Sequence, residues 1–416
     1  MGYALRRIRL RGGNFAVEPV ATLPWNDRQL CDGISGNFGV ESMATYDWNQ
    51  WQLCRGMSGS FAMESVATLV WNRWQLSPGT RGNFRAEYAL LRGFTTVRDM
   101  GGPAFGLKRA IDEGVIAGPR IYPSGALITI TSGHGDFRQP FELPRVLGAP
   151  QSRGEQIGAA MIADSPDEVR VRVREQLLQG ASQIKLTAGG GVASPHSPLD
   201  ASTFTEAELR AAVEAAENWG TYVTVHAYTP ASIQRAIAAG VKCIEHGHLM
   251  DEPTAKLIAE QGIWLSTQAF PDEMADAFPP GSTERAKALE VFAGTDRTFT
   301  LAKKYRIKTA FGTDIVFSPR LAPRQGELLT KLVRWYSPAE ALVMATGTNA
   351  QLLALSGKRN PYPGKLGVVE EGALADLLLV DGNPIEDIKL IEDPVKNFVL
   401  IMKDGQIYKN TLPKGP

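Results

Sequence analysis

The sequence predicts an α/β protein: a (β/α)8 TIM-type barrel whose first strand is missing or replaced, with a small C-terminal β-sheet domain. Three observations carry this. From about residue 90 to 355, short β-branched runs alternate with amphipathic helical stretches, the pattern of a parallel sheet covered by helices. Beyond residue 362 apolar runs are broken by Gly, Asp and Asn instead. Before residue 90 neither pattern is present, and the chain repeats itself.

The repeat comes first. Gly13, Gly36, Gly59 and Gly82 stand 23 residues apart, and Glu18, Glu41, Glu64 and Glu87 keep the same interval, as do Trp25, Trp48 and Trp71. Such periodicity normally marks a stacked array. Yet no unit has a clean helical or strand period, and each carries several turn-forming positions. Residues 1–89 therefore read as an atypical repeat segment, open to disorder. Near-identical copies also fit a translated tandem repeat of the gene.

The barrel strands follow in order: "FTTVRDM", "RIYPSGAL", "QIKLTAGG", "TYVTVHAY", "KCIEHGH", "IWLSTQA" and "IKTAFGTD". Between them, "TEAELRAAVEAAENW" is the clearest helix, with Thr205 and Glu208 as a capping box and Gly220 as its stop. Seven strands with reactive residues at their ends suggest a barrel lacking a recognisable first strand. This domain spans 90–361. In the accessory β domain, 362–416, Asp404-Gly405 is placed to turn a hairpin.

Composition narrows the function. Lys+Arg and Asp+Glu balance at 44 each, so there is no basic field for nucleic acid or an anionic membrane surface. Three scattered cysteines do not make a disulfide framework. No apolar run reaches membrane-span length. A soluble cytoplasmic protein with a small-molecule substrate is the expectation, with self-association left open.

The chemistry lies at the strand ends. The five histidines are His134, His196, His226, His246 and His248. His226 and His246 end two predicted strands, Asp314 ends a third and Lys185 lies within a fourth. In a parallel barrel these ends open on one face, where two imidazoles and a carboxylate form a plausible Zn²⁺ set. Tyr228, two residues past His226, faces the same way by the strand period, and His248 stands in the same relation to His246. His134 lies on a loop with Asp136 placed to orient its ring, and His196 reads as an ordinary loop residue. The run Gly189–Gly191 lacks the Lys-Ser/Thr sequel of a phosphate loop.

The motifs "TTVRD" (95–99), "TSGHGD" (131–136), "IKLTAGGGVASP" (184–195), "VHAYT" (225–229), "IEHGHLMDE" (244–252) and "FGTD" (311–314) occur in one order. With "GVVEEGALADLLLVDGNP" (367–384), they resemble the metal-dependent amidohydrolase superfamily, in its prolidase-like and imidazolonepropionase-like branch. The resemblance runs from about 90 to 416. It implies hydrolysis of C–N bonds in dipeptides or N-acyl amino acids by metal-activated water. Lys185 would carry a carbamate bridging the metals, and His226 and His246 would bind the second metal. Asp314 would bind the first and shuttle the proton, while His134 and Tyr228 would contact substrate. Members also carry a His-x-His pair on the first strand, but no histidine precedes His134. One Zn²⁺ and impaired hydrolysis are therefore expected. The alternative is a catalytically inactive member of the fold or a displaced reading frame.

Overall fold

The computed structural model describes residues 86–138, 142, 150–194, 196–270, 272–314 and 322–413, with the pairs 39–40 and 62–63. The chain divides into two compact units, Met1–Thr80 and Arg81–Pro416. In the first, β1 (Gly39–Val40) and β2 (Ala62–Met63) pair in parallel, Gly39 opposite Ala62 and Val40 opposite Met63. Partners therefore occupy the same position in successive copies of the repeat. The rest of the repeat up to residue 85, including the run 65–71 that has the composition to replace a strand, lies outside the described residues.

The second unit carries the parallel strands. They are β3 (Thr96–Asp99), β4 (Arg120–Pro123), β5 (Leu127–Thr129), β6 (Ala160–Ile162), β7 (Ile184–Thr187), β8 (Val223–Ala227), β9 (Cys243–His246), β10 (Trp264–Thr267) and β11 (Thr309–Phe311). β6, β5, β7, β8, β9, β10 and β11 are neighbours in that order, and β3 pairs with β4. The run "RIYPSGAL" is two strands, not one. Gly125 takes φ +73, and the Gln176 side chain fills the break by accepting the Ala126 N–H at 2.9 Å. A Cβ on Gly125 would lie 2.3 Å from that same Gln176 oxygen, so the chain steps sideways here. β6 arises in a stretch without a sequence signature. Its Ile162 is held by Glu155 and Arg172, which bond its N–H and carbonyl.

The sheet is curled. β3 and β9 belong to different sheets and are not paired. Yet Arg98 on β3 reaches Glu245 on β9 at 2.7 Å, as strands curled round a shared interior do. Among the described residues β11 pairs only with β10 and β3 only with β4.

Fully buried Ile184, Leu186, Val225, Ile244 and Leu265 on the strands meet Val173, Leu209, Ile233 and Ile258 on the helices. Each such side chain contributes about 1.5–3 kcal/mol by leaving water. The helix Glu206–Asn218 starts at the expected box: Thr205 Oγ1 accepts the Glu208 N–H, and the Glu208 carboxylate accepts the Thr205 N–H. Gly220 at φ +73 ends it.

The C-terminal sheet is antiparallel: β12 (Leu377–Val380), β13 (Phe398–Lys403) and β14 (Gln406–Asn410). Asp404 and Gly405 both take positive φ, +55 and +76, as a type I′ turn requires. Buried Arg120 on β4 pairs with Asp376, and Lys403 Nζ donates to the Gly118 carbonyl at 2.7 Å. These contacts fix the sheet to the barrel.

Candidate active site

The predicted residues meet at the C-terminal mouth of the barrel. β7, β8 and β9 are neighbours with Thr187 opposite His226 and Ala227 opposite His246. The His226 and His246 ring centres are 4.6 Å apart, and His134 lies 4.3 Å from His226. The Tyr228 ring stands edge-on to His226 at 4.6 Å. Asp314 Oδ2 is 4.0 Å from His246 Nδ1. Lys185 is buried within β7, and Glu245 and Asp314 act on its charge.

Two of these positions depart from ordinary backbone. His246 takes φ +80 and Asp314 φ +48, a region that costs a residue with a Cβ on the order of 1–3 kcal/mol. In a regular strand Glu245 and His246 would face opposite sides. The turned backbone lets both face inward, Glu245 onto Arg98 and Thr224, His246 onto His226.

The electrostatics suit neutral bases. Burial, helped by His134, His246 and Lys185, pushes His226 well below the usual imidazole range. Burial does the same to His246, with Lys185 and His248. His134 is pushed down to about 3 by burial and the charges of Lys185 and Lys287. Burial also lowers Lys185, while Glu245 and Asp314 oppose it. The Asp314 side chain is 38% exposed, yet its carboxyl is partly desolvated. That desolvation, with Glu245, lifts it to about 6 against the pull of Lys185.

The hydrogen bonds fix the tautomers. His226 Nε2 meets the Gly190 carbonyl at 2.8 Å, so it carries the proton and Nδ1 keeps its lone pair. His246 Nδ1 meets Gln268 Oε1 at 2.8 Å, which leaves Nε2 free. A donor bond from the far nitrogen is the usual arrangement around metal-binding histidines. Among the described residues, however, no three His, Cys, Asp or Glu side chains are grouped to hold an ion. Among the described residues a three-ligand set therefore needs Lys185 beside His226 and His246.

The amidohydrolase family pattern matches residues 83–409. The chain belongs to the amidohydrolase family. It is 34% identical over 332 residues to the ochratoxinase of Aspergillus niger, covering 77% of this chain and 66% of that protein. It thus spans just under two thirds of the length of that curated relative. Among solved structures it resembles a prolidase complexed with N-methylphosphonate-L-proline: 36% identity, TM-score 0.72, 79% of each chain. It also resembles a Xaa-Pro dipeptidase with bound methionine: 34% identity, TM-score 0.67, 79% of this chain and 78% of that one.

Within this amidohydrolase mouth, some side chains stand where the sequence does not put them. Asp136 does not orient His134: its carboxylate accepts from Arg138 and the Ser132 N–H. Ser194 takes that place, its Oγ 2.9 Å from His134 Nδ1. His248 is buried beside Phe270, Nε2 on the Gln268 carbonyl, and its Nδ1 has no partner among the described residues. His196 is exposed. Sequence reasoning missed Arg98, Glu245, Gln268 and Ser194. The signal for Glu245 was a charge inside an apolar strand, "KCIEHGH", which demands a buried partner.

Among the described residues no helix is long and apolar enough to cross a membrane.

Proposed function

We propose that this chain hydrolyses the C–N bond of small peptide-like substrates, dipeptides or N-acyl amino acids, with a Xaa-Pro amide as the first compound to try. The observation that carries the proposal is the gathering of Lys185, His226, His246 and Asp314 at one end of a parallel barrel. The similarity to an ochratoxinase, a prolidase and a Xaa-Pro dipeptidase supports the substrate class.

Zn²⁺ is the ion we propose for the site; His226, His246 and Lys185 as its carbamate would hold it, with Asp314 near by. Such an ion acidifies a water and polarises the scissile carbonyl. The remaining work falls to the chain. Asp314 takes a proton from the attacking water and returns it to the leaving amine. A carboxyl lifted to about 6 is matched to both transfers near neutral pH. The Tyr228 and His134 rings both pack against His226, and in this reading they hold the substrate carbonyl or carboxylate. A cytoplasmic location accompanies this reading.

The test is release of free amine from a panel of Xaa-Pro dipeptides and N-acyl amino acids, with added Zn²⁺ and bicarbonate. Turnover that disappears in Asp314→Asn supports the assignment. A folded chain inert to the whole panel rejects it in favour of a catalytically silent amidohydrolase fold.

A further inference from the structure

The helix Thr283–Ala293 follows β10 and carries Lys287 against the loop that leaves β7. The Lys287 ammonium donates to the Ser194 carbonyl at 2.9 Å, the Ser197 carbonyl at 2.7 Å and the Gly191 carbonyl at 3.4 Å. An ammonium has three N–H donors, and here they face three backbone carbonyls of a single loop.

That loop is wired onward. Ser194 Oγ accepts the Gly135 N–H at 3.0 Å and lies 2.9 Å from His134 Nδ1. With Gly135 already donating to it, the hydroxyl is free to give its own hydrogen to Nδ1, which leaves His134 Nε2 as an N–H donor. The loop also presses on the ring: a Cβ on Gly191 would lie 2.0 Å from His134 Nδ1. Its Gly190 carbonyl holds His226. Wherever the loop moves, both imidazoles follow.

We infer that Lys287 is a positioning residue, locking the β7 loop so that Ser194 presents His134 as an N–H donor to a substrate carbonyl or carboxylate oxygen. The lock joins the loops after β5, β7 and β10, which have no covalent reason to move together. Lys287 does not touch substrate. The substrate-facing role of His134 rests on the function proposed above, but the lock does not.

Hydrogen exchange of the full chain, read by mass spectrometry, tests the lock without turnover. Lys287→Met keeps the aliphatic stem and removes all three donors. Amides in 131–138 and 190–204 should exchange about tenfold faster, the scale of losing one to two hydrogen bonds. The rest of the barrel should keep its protection, and Lys287→Arg should restore most of the loss. Unchanged exchange in 131–138 overturns the inference, and so does an increase spread over every barrel segment. Ser194→Ala cuts only the onward link. It should loosen 131–138 and leave 196–204 protected; continued protection of 131–138 shows that the route through Ser194 is wrong. In an active preparation, Lys287→Met should raise KM more than it lowers kcat. An inert parent chain counts against the proposed function alone, because the exchange pattern is read either way.

Discussion

Replacing Arg98 by Met removes the cation that bridges the barrel interior. Its Nη2 lies 2.7 and 2.8 Å from the two Glu245 oxygens, and the side chains are 10% and 5% exposed. Burial alone would raise the Glu245 carboxyl. Arg98, Lys185 and hydrogen bonds from Thr224 and Ser266 outweigh it and hold the group at about 2, against an ordinary 4.5. That gap corresponds to about 3 kcal/mol, and stranding one partner of a buried pair costs about 3–5 kcal/mol. Arg98→Met should therefore cost about 3–4 kcal/mol at neutral pH, read by urea unfolding of the full chain. Because the folded carboxyl is depressed, its stabilisation is present above the unfolded value and lost as pH falls through the folded one. The deficit should shrink between about pH 4.5 and pH 2. The double variant Arg98→Met with Glu245→Gln should recover about half the loss, since no buried charge is left unpaired. A single variant within about 1 kcal/mol of the parent, or a double variant worse than the single, would refute the reasoning.

Three further outcomes are expected. Hydrolysis should rise with pH through about 6 as the Asp314 carboxylate forms, and Asp314→Asn should lower kcat by about 10²–10⁴-fold; a pH–rate profile flat across that range contradicts the assignment. After exhaustive dialysis the chain should retain one equivalent of zinc by elemental analysis, and Lys185→Ala should retain far less; two tightly held equivalents would show a second complete ligand set. Gly190→Ala would place a Cβ 1.6 Å from the Pro198 carbonyl oxygen, forcing the loop off His226 at about 1–3 kcal/mol of stability. Unfolding of Gly190→Ala at the parent's urea midpoint would mean that the loop yields without cost.

The features legible in the sequence are those set by neighbours along the chain. The capping box at Thr205 and Glu208 and the turn at Asp404-Gly405 form from contacts within three residues, and both are present as read. His226 and Tyr228 share a direction because a strand alternates every two residues. The partner of His134 could not be read this way. Asp136 was near in sequence, but its loop closes on Arg138, and Ser194 arrives from 60 residues further along. Arg98 and Glu245, 147 residues apart, meet only because the sheet rolls up. The inward turn of His246 was invisible for another reason: its positive φ breaks the alternation that a sequence reading assumes.

By itself the sequence settled the alternation of strands and helices, the placing of His226 and His246 at strand ends with Asp314 three residues beyond another, and the absence of any histidine before His134. Each follows from local period and residue chemistry, which the chain carries wherever it goes. Closure of the barrel decided what surrounds those groups: burial that keeps the imidazoles neutral, the Arg98–Glu245 pair beneath them, and Gly190 and Gln268 fixing the tautomers of His226 and His246. Those properties belong to the dielectric and geometry of a shared interior, and no single segment possesses them until the strands are assembled.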